Sequence, residues 1–303
     1  MKKTIAILGL VIIILLGISV LAAYILTKPM DSGSLKFGDK VAVIKVEGVI
    51  TMSDGAGFFG VTGANPTRII KQIKKANDDS SVKAILFEIN SPGGGIVASE
   101  AIAEAIKDVD KPTVAWLSEI ATSGGYYVAS SCDYIVADRG TLTGSIGVIS
   151  MFPQYSSLLE KMGVEMRVIK SGEYKDIGSP FRNMTGEERS MIQEWNDEIY
   201  NDFVSFVAEN RGLSREYVEE IAEGKLYVGK KAVELKLADE IGTKEDAIAV
   251  AGRMGGIEGE PTVVEYKRGT FFDDFIGTAS ARFGYGFAKG LIETNREATS
   301  WGY

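Results

Sequence analysis

Two short glycine turns hold the residue types from which a hydrolytic site could be built. Ser91-Pro92-Gly93-Gly94-Gly95 follows the apolar run 82–89 (VKAILFEI), and Ser123-Gly124-Gly125 comes shortly after the run 112–117. Each turn opens a stretch that reads as a helix. The first frees backbone N–H groups from side-chain cover, as an oxyanion hole requires. The second puts a serine hydroxyl at a helix N-terminus, where developing negative charge is stabilised. Either turn alone is equally what a plain strand-to-helix connection looks like, because glycine turns recur throughout α/β proteins. A serine that attacks a carbonyl needs a proton acceptor. The 303 residues include no histidine and one cysteine, Cys132. Ser-His-Asp and Cys-His mechanisms are therefore excluded. So are a Cys/His zinc site and an intrachain disulfide. The ordinary remaining bases are a carboxylate or a neutral lysine. Bringing a lysine from about 10.4 to near 7 takes roughly 4–5 kcal/mol. Full burial shifts a lysine by about 3–5 units, so desolvation alone suffices. Such a base lies in apolar surroundings with no carboxylate firmly paired to it. Composition does not choose which lysine that is.

Other motifs fail on chemistry. Residues 224–230 fit G-x-x-x-x-G-K, but Lys231 stands where a P-loop needs a hydroxyl for magnesium. Residues 80–83 fit S-x-x-K but precede a strand and lack the S-D-N and K-T-G partners of a penicillin-binding serine. Residues 143–147 (TGSIG) resemble a nucleophile elbow with the first glycine one position too close to Ser145. Cys132 reads as a small buried hydrophobe.

The elements that must position these turns alternate between strand and helix. Residues 40–49 (KVAVIKVEGV), 82–89, 112–117 and 134–137 read as strands, as do 146–150 and 165–169. Asn65-Pro66 reads as an N-cap and first helical position for a helix to about residue 77. Residues 97–109 form the next helical stretch. Residues 54–64 hold four glycines beside Phe58 and Phe59 and read as a loop. Thr185 to Glu188 (TGEE) is a capping box opening a long helix, with Ile192, Trp195, Ile199, Phe203 and Val207 close to one stripe. Thr243 with Asp246 opens another. This order predicts an α/β fold with much parallel pairing.

Apolar residues make up 45% of the chain and charged residues 24%, an ordinary globular balance. The net charge of −8 argues against general nucleic-acid binding. Residues 5–26 are uncharged and mostly apolar. As a helix they would span about 33 Å, enough for a hydrocarbon core of about 30 Å. Lys2 and Lys3 before the run favour an N-inside orientation, with the rest exported. The competing reading, a cleaved signal peptide, ordinarily has a shorter apolar region of about 7–15 residues. No cysteine lies near the run, which excludes a lipoprotein. Near the other end, Phe272, Phe275, Ile276 and Phe283 suit one helix face, interrupted by Gly277, Gly284, Gly286 and Gly290. That tail is expected to pack on its own domain, on a neighbouring protomer or on the membrane surface.

Four segments in order resemble a known family: residues 90–95 (NSPGGG), 122–127 (TSGGYY), 142–148 (LTGSIGV) and 170–180 (KSGEYKDIGSP). The helix from Thr185 and residues 227–229 (YVG) match as well. Over roughly residues 40–242 the chain is similar to the signal peptide peptidase A family of Ser-Lys membrane peptidases. The resemblance implies a Clp protease/crotonase-like α/β fold, with parallel strands and helical crossovers. It implies Ser123 as nucleophile, Lys175 as general base, Ser145 orienting that lysine, and the Gly94 and Gly124 amides as oxyanion donors. Lys170 is the second candidate base. Asp176, beside Lys175, is expected to point away from it. The implied layout is an anchor (residues 1–28), a linker (29–39), a peptidase domain (40–267) and an aromatic tail (268–303), with the peptidase domain outside the cytoplasm. The implied substrates are signal-peptide remnants left in the membrane, with no cofactor and no metal. The implied assembly is a homo-oligomer in which Ser and Lys come from neighbouring protomers. Two alternatives stand beside it: a related Ser-Lys protease cutting stomatin-type membrane proteins, and an inactive membrane scaffold. A crotonase-type acyl-CoA enzyme is disfavoured because export removes it from coenzyme A.

Overall fold

Val41 and Val43 face one way along the first strand, and Ala42, Ile44 and Val46 the other; all five are fully buried. A strand apolar on both faces belongs in the middle of a sheet covered on both sides. The computed structural model, which describes residues 38–53 and 63–266, places it there. Strand β1 (Lys40–Glu47) pairs in parallel with β2 (Val82–Ser91) and β8 (Thr262–Glu265). Strand β3 (Thr113–Thr122) lies beside β2, also in parallel. The first half of β3 pairs with β4 (Tyr134–Ala137) and its last three residues with β5 (Leu142–Gly144). Strand β6 (Leu226–Val228) closes one edge antiparallel to β5, and β7 (Glu240–Ile241) extends β4.

Helices α1 (Pro66–Asp78), α2 (Ile96–Lys107) and α3 (Gly124–Ser130) cover one face with the long α5 (Gly186–Arg211). Ile44, Phe87, Ile89, Ile102, Tyr126 and Val207 belong to that core. Helix α8 (Lys244–Met254) covers the other face through Ala247, Val250 and Ala251. Each large apolar side chain among these contributes about 1.5–3 kcal/mol by leaving water. The caps match their sequence signals. Asn65 accepts from the Arg68 amide with Pro66 behind it, and Thr185–Glu188 and Thr243–Asp246 are both full capping boxes. The remaining short helices are α4 (Ser156–Lys161), α6 (Arg215–Ile221) and α7 (Gly229–Glu234).

Two expected strands do not form. Residues 146–150 and 165–169 lie in no strand. Val164, Met166, Val168 and Ile169 are 45–101% exposed, so their alternation meets no core and no neighbouring strand. Strand β3, in contrast, runs five residues past its expected end, because β5 pairs with Ile120, Ala121 and Thr122. Among the described residues no helix is long and apolar enough to cross a membrane. The expected anchor, the glycine-rich loop at residues 54–62 and the aromatic tail lie outside the described residues.

Candidate active site

The ends of β2 and β3 bring the two glycine turns together. Ser91 is fully buried, donates its hydroxyl to the Gly48 carbonyl (2.7 Å) and accepts the Gly93 amide (3.1 Å). Ile50 clips the turn from the other side: its N–H donates to the Gly93 carbonyl and its carbonyl accepts the Gly95 amide, both at 2.9 Å. The clip explains why glycine is required. A Cβ on Gly94 would lie 2.0 Å from the Ile50 oxygen. Gly93, at φ +96°, would put a Cβ 2.9 Å from the Ser123 Cβ. No acceptor among the described residues takes the Gly94 or Gly124 backbone N–H. The two residues are close, since a Cβ on Gly124 would lie 3.3 Å from the Gly94 nitrogen, and both line one cavity. Two neighbouring backbone amides without acceptors are the kind of donor pair an oxyanion could use.

Ser123 stands at the N-cap of α3 with φ 52° and ψ −125°, and its side chain makes no capping bond. A non-glycine residue with positive φ is uncommon and costs of order 1–3 kcal/mol. Here the backbone enforces it: the Ser123 N–H donates to the Gly144 carbonyl and the Ser123 carbonyl accepts the Tyr127 amide, both at 2.9 Å. The serine hydroxyl makes no cap bond, and Ser123 lines a cavity of about 190 Å³. Gly94, Ser99, Tyr127, Val148, Ile149 and Phe203 share that lining. Tyr127 also ties α3 to α5, stacking on Phe206 with ring centroids 3.9 Å apart. Ser145 follows directly on the Gly144 carbonyl that holds Ser123. It too has positive φ (51°), and its N–H donates to the Lys225 carbonyl (2.8 Å).

Lys175 is elsewhere. It is exposed, on a turn where its N–H reaches the Gly172 carbonyl at 3.4 Å. It is not among the cavity residues, and no hydrogen bond joins it to Ser123 or Ser145. A single chain thus lines one cavity with Ser123, Gly94 and Gly124; Ser145 adjoins it through the Gly144 carbonyl that binds Ser123, and neither Ser145 nor Lys175 is part of the lining. Asp176 is turned to other partners: Arg182 and Lys170 both bind its carboxylate. Hydrogen bonds from Arg182 and then Lys170 hold this carboxyl well below the usual range. Lys170, the second candidate base, donates to Asp176 and to the Glu173 carbonyl. Cys132 is 4% exposed, and burial pushes its thiol upward, away from nucleophilic chemistry. Among the described residues no group of three or more Cys, Asp or Glu side chains is placed to hold a metal ion.

Sequence reasoning missed the Ile50 clip, the Ser91 brace and the Arg182 ion pairs. Ile50 left no local signal. Ser91 stood in the glycine motif, and Glu188, which Arg182 binds, was visible as the end of its capping box.

The architecture is that of a Clp protease-like domain, and the Clp protease family model matches residues 60–138. The model of peptidase family S49 matches residues 105–257. The chain is 38% identical over 304 residues to a Methanocaldococcus jannaschii protein named as a protease, covering 97% of this chain and 95% of that one. It is 39% identical over 249 residues to an Enterococcus faecium protein named as signal peptide peptidase SppA (80% and 72% covered). Protease 4 of Haemophilus influenzae is 33% identical, and there the match spans 80% of this chain and 39% of the longer relative. Among solved structures, a membrane-bound stomatin-specific protease has the same fold at a TM-score of 0.50 and 14% identity, covering 77% of this chain and 99% of that one. The chain belongs to peptidase family S49 and is a protease related to SppA and Protease 4.

Proposed function

We propose that this protease is a membrane-anchored serine endopeptidase that degrades signal-peptide remnants, with a Ser123–Lys175 dyad completed between protomers of a homo-oligomer. One observation carries the reading: Ser123 is held at a strained positive φ, uncapped, and lines one cavity with two glycines whose amides have no other acceptor among the described residues. In the first half-reaction Ser123 Oγ attacks the scissile carbonyl and the neutral Lys175 amine takes the hydroxyl proton. The Gly94 and Gly124 N–H groups receive the developing oxyanion. The lysine passes its proton to the departing amine, leaving an acyl-serine. Water, activated by the same amine, then releases the acyl peptide and restores the serine. Ser145, next to the carbonyl that fixes Ser123, orients the amine.

The shared site is supported by the exposed apolar surface of the excursion that carries the lysine. Ile149, Met151, Met162 and Ile169 are 66–101% exposed on the excursion between β5 and α5. A neighbouring protomer covering them would bury apolar area and desolvate the amine in one step, and desolvation favours the neutral form a base requires. The apolar run at residues 5–26 supports an anchor that keeps the site near membrane peptides. The substrate class rests on the name of the Enterococcus relative. The name of the stomatin-specific structural neighbour favours a second reading, cleavage of stomatin-type membrane proteins. Mass spectrometry of the peptides released from each substrate class separates the two readings. Labelling by a fluorophosphonate tests the chemistry itself. The parent protein is expected to label at Ser123 and Ser123→Ala not at all; equal labelling of both rejects the nucleophile, and an unlabelled parent favours an inactive scaffold.

A further inference from the structure

The turn that carries Lys175 is flanked on both sides by bonds to the start of α5. On one side the Tyr174 hydroxyl donates to Glu187 Oε1 at 2.5 Å. On the other, Arg182 bridges two carboxylates. Its Nε donates to Asp176 Oδ2 (2.9 Å) and its Nη2 to Asp176 Oδ1 (2.8 Å). Its Nη1 donates to Glu188 Oε2 (2.8 Å) and its Nη2 to Glu188 Oε1. Glu188 is 2% exposed and also accepts the Thr185 amide (2.9 Å), so this anchor is the capping box of α5. Paired guanidinium–carboxylate contacts fix both distance and plane, which a lysine in the same place would not do.

We propose that Arg182 is a positioning residue of the catalytic site: it pins the Lys175 turn to α5 and keeps the Asp176 carboxylate occupied, leaving the adjacent amine without a carboxylate partner. The proposal rests on Lys175 being the base. An aspartate next to a lysine on an exposed turn would otherwise be its nearest counter-charge, and an amine so paired stays protonated. Asp176 faces Lys170 and Arg182 from its own loop and Glu188 from α5, with no lysine or arginine from α5 among its partners. Tyr174 faces Glu187, Glu173 and Glu188. Arg182 is the first cause of the lowered Asp176 and Glu188 carboxyls and is itself raised further by both. The clamp therefore stays fully charged across the neutral range.

The test uses the full-length protein, a peptide substrate and five variants: Arg182→Gln, Arg182→Lys, Arg182→Gln with Asp176→Asn, Lys175→Ala and Ser123→Ala. Arg182→Gln is expected to lower kcat about tenfold or more with little change in KM, as a small misplacement of a base does. Its pH–rate profile should move about one unit or more to higher pH, because Asp176, then held by Lys170 alone, has a carboxylate oxygen open to the amine. Adding Asp176→Asn should return the profile toward the parent's while kcat stays low. Arg182→Lys keeps a cation beside Asp176 without the paired geometry, so it should lose kcat at the parent's pH midpoint. The proposal is overturned if Arg182→Gln keeps the parent kcat and profile. It is overturned equally if activity falls with an unmoved profile, or if the double variant does not move the profile back. Should Arg182→Gln fail to fold, a shifted midpoint in Arg182→Lys overturns it, and a parental midpoint with reduced kcat supports it. A Lys175→Ala variant that keeps activity sinks the dyad itself. A dead Lys175→Ala beside a parent-like Arg182→Gln sinks only the role of Arg182.

Discussion

The turn around Ser123 and the turn around Lys175 are held by different forces. Ser123 stands at the end of a central strand, under a buried core, and its backbone is set by hydrogen bonds to Gly144 and Tyr127. Lys175 stands on an exposed excursion, fixed by ion pairs to the first turn of a helix. A nucleophile must adopt one strained conformation, and only a packed interior over-determines a backbone enough to hold it. A lysine base needs instead to meet apolar surface at the right moment. In the proposed oligomer, an exposed turn offered to a neighbour would supply that. In the proposed mechanism the protomer would thus carry the attacking half of the chemistry and present the proton-accepting half outward.

The sharpest way to break this comparison is at the nucleophile. Ser123→Ala should lower kcat/KM by about 10³-fold or more while leaving circular dichroism and assembly unchanged, since it removes one hydroxyl from a site whose members act as a unit. Turnover near the parent's would reject Ser123. Next comes the oxyanion turn. Gly94→Ala brings a Cβ to within 2.0 Å of the Ile50 carbonyl, so the clip must open and a donor must move. Loss of roughly 10²–10³-fold in kcat is expected, and a parental kcat would mean that the Gly94 amide is not used.

On the lysine side the expected effects are smaller at first contact. Ile169, fully exposed in the single chain, is expected to lie at a protomer boundary. Ile169→Asp should shift sedimentation toward smaller species and lower activity about tenfold by burying an unpaired charge; unchanged oligomer size would remove that residue from the interface. The pH dependence separates clamp from base. Glu188 is lowered from 4.5 to about 2, by Arg182 and then by the Thr185 amide. A depressed carboxyl contributes its stability above the ordinary value and loses it as pH falls toward the folded one. Protection of residues 170–188 from hydrogen exchange should therefore stay constant between about pH 8 and pH 5 and weaken only below about 4. Activity should be lost at higher pH than that protection, because the proposed mechanism needs a neutral base. If exchange and activity fell together, the loop would be the pH-sensitive part. The smallest effect is expected from thiol reagents: Cys132 is buried and its thiol raised, so iodoacetamide should leave activity intact.

The same contrast explains what the sequence made legible. Asn65-Pro66, the TGEE box and the two glycine turns were readable because their signals are local, and the structure contains all of them. Residues 165–169 alternate like a strand, yet pairing depends on a neighbour that no local pattern specifies, and none is present among the described residues. The extension of β3 to Thr122 was hidden for the same reason, because β5 decides it. At the site, serine and glycines stood out by type and spacing. The Ile50 clip did not, since it joins residues more than forty apart in sequence. The lysine came only through family resemblance, because nothing in a lone chain marks one exposed lysine as a base.

The central claim is that the nucleophile and the base are supplied by different protomers. Coexpression of Ser123→Ala and Lys175→Ala chains in equal amounts tests it most directly. Each variant alone should be inactive. In a mixed closed ring, about one quarter of the interfaces would pair an intact serine with an intact lysine, so about one quarter of parental activity should return. Mixed oligomers that form normally and remain inactive would contradict the account and place both residues in one chain.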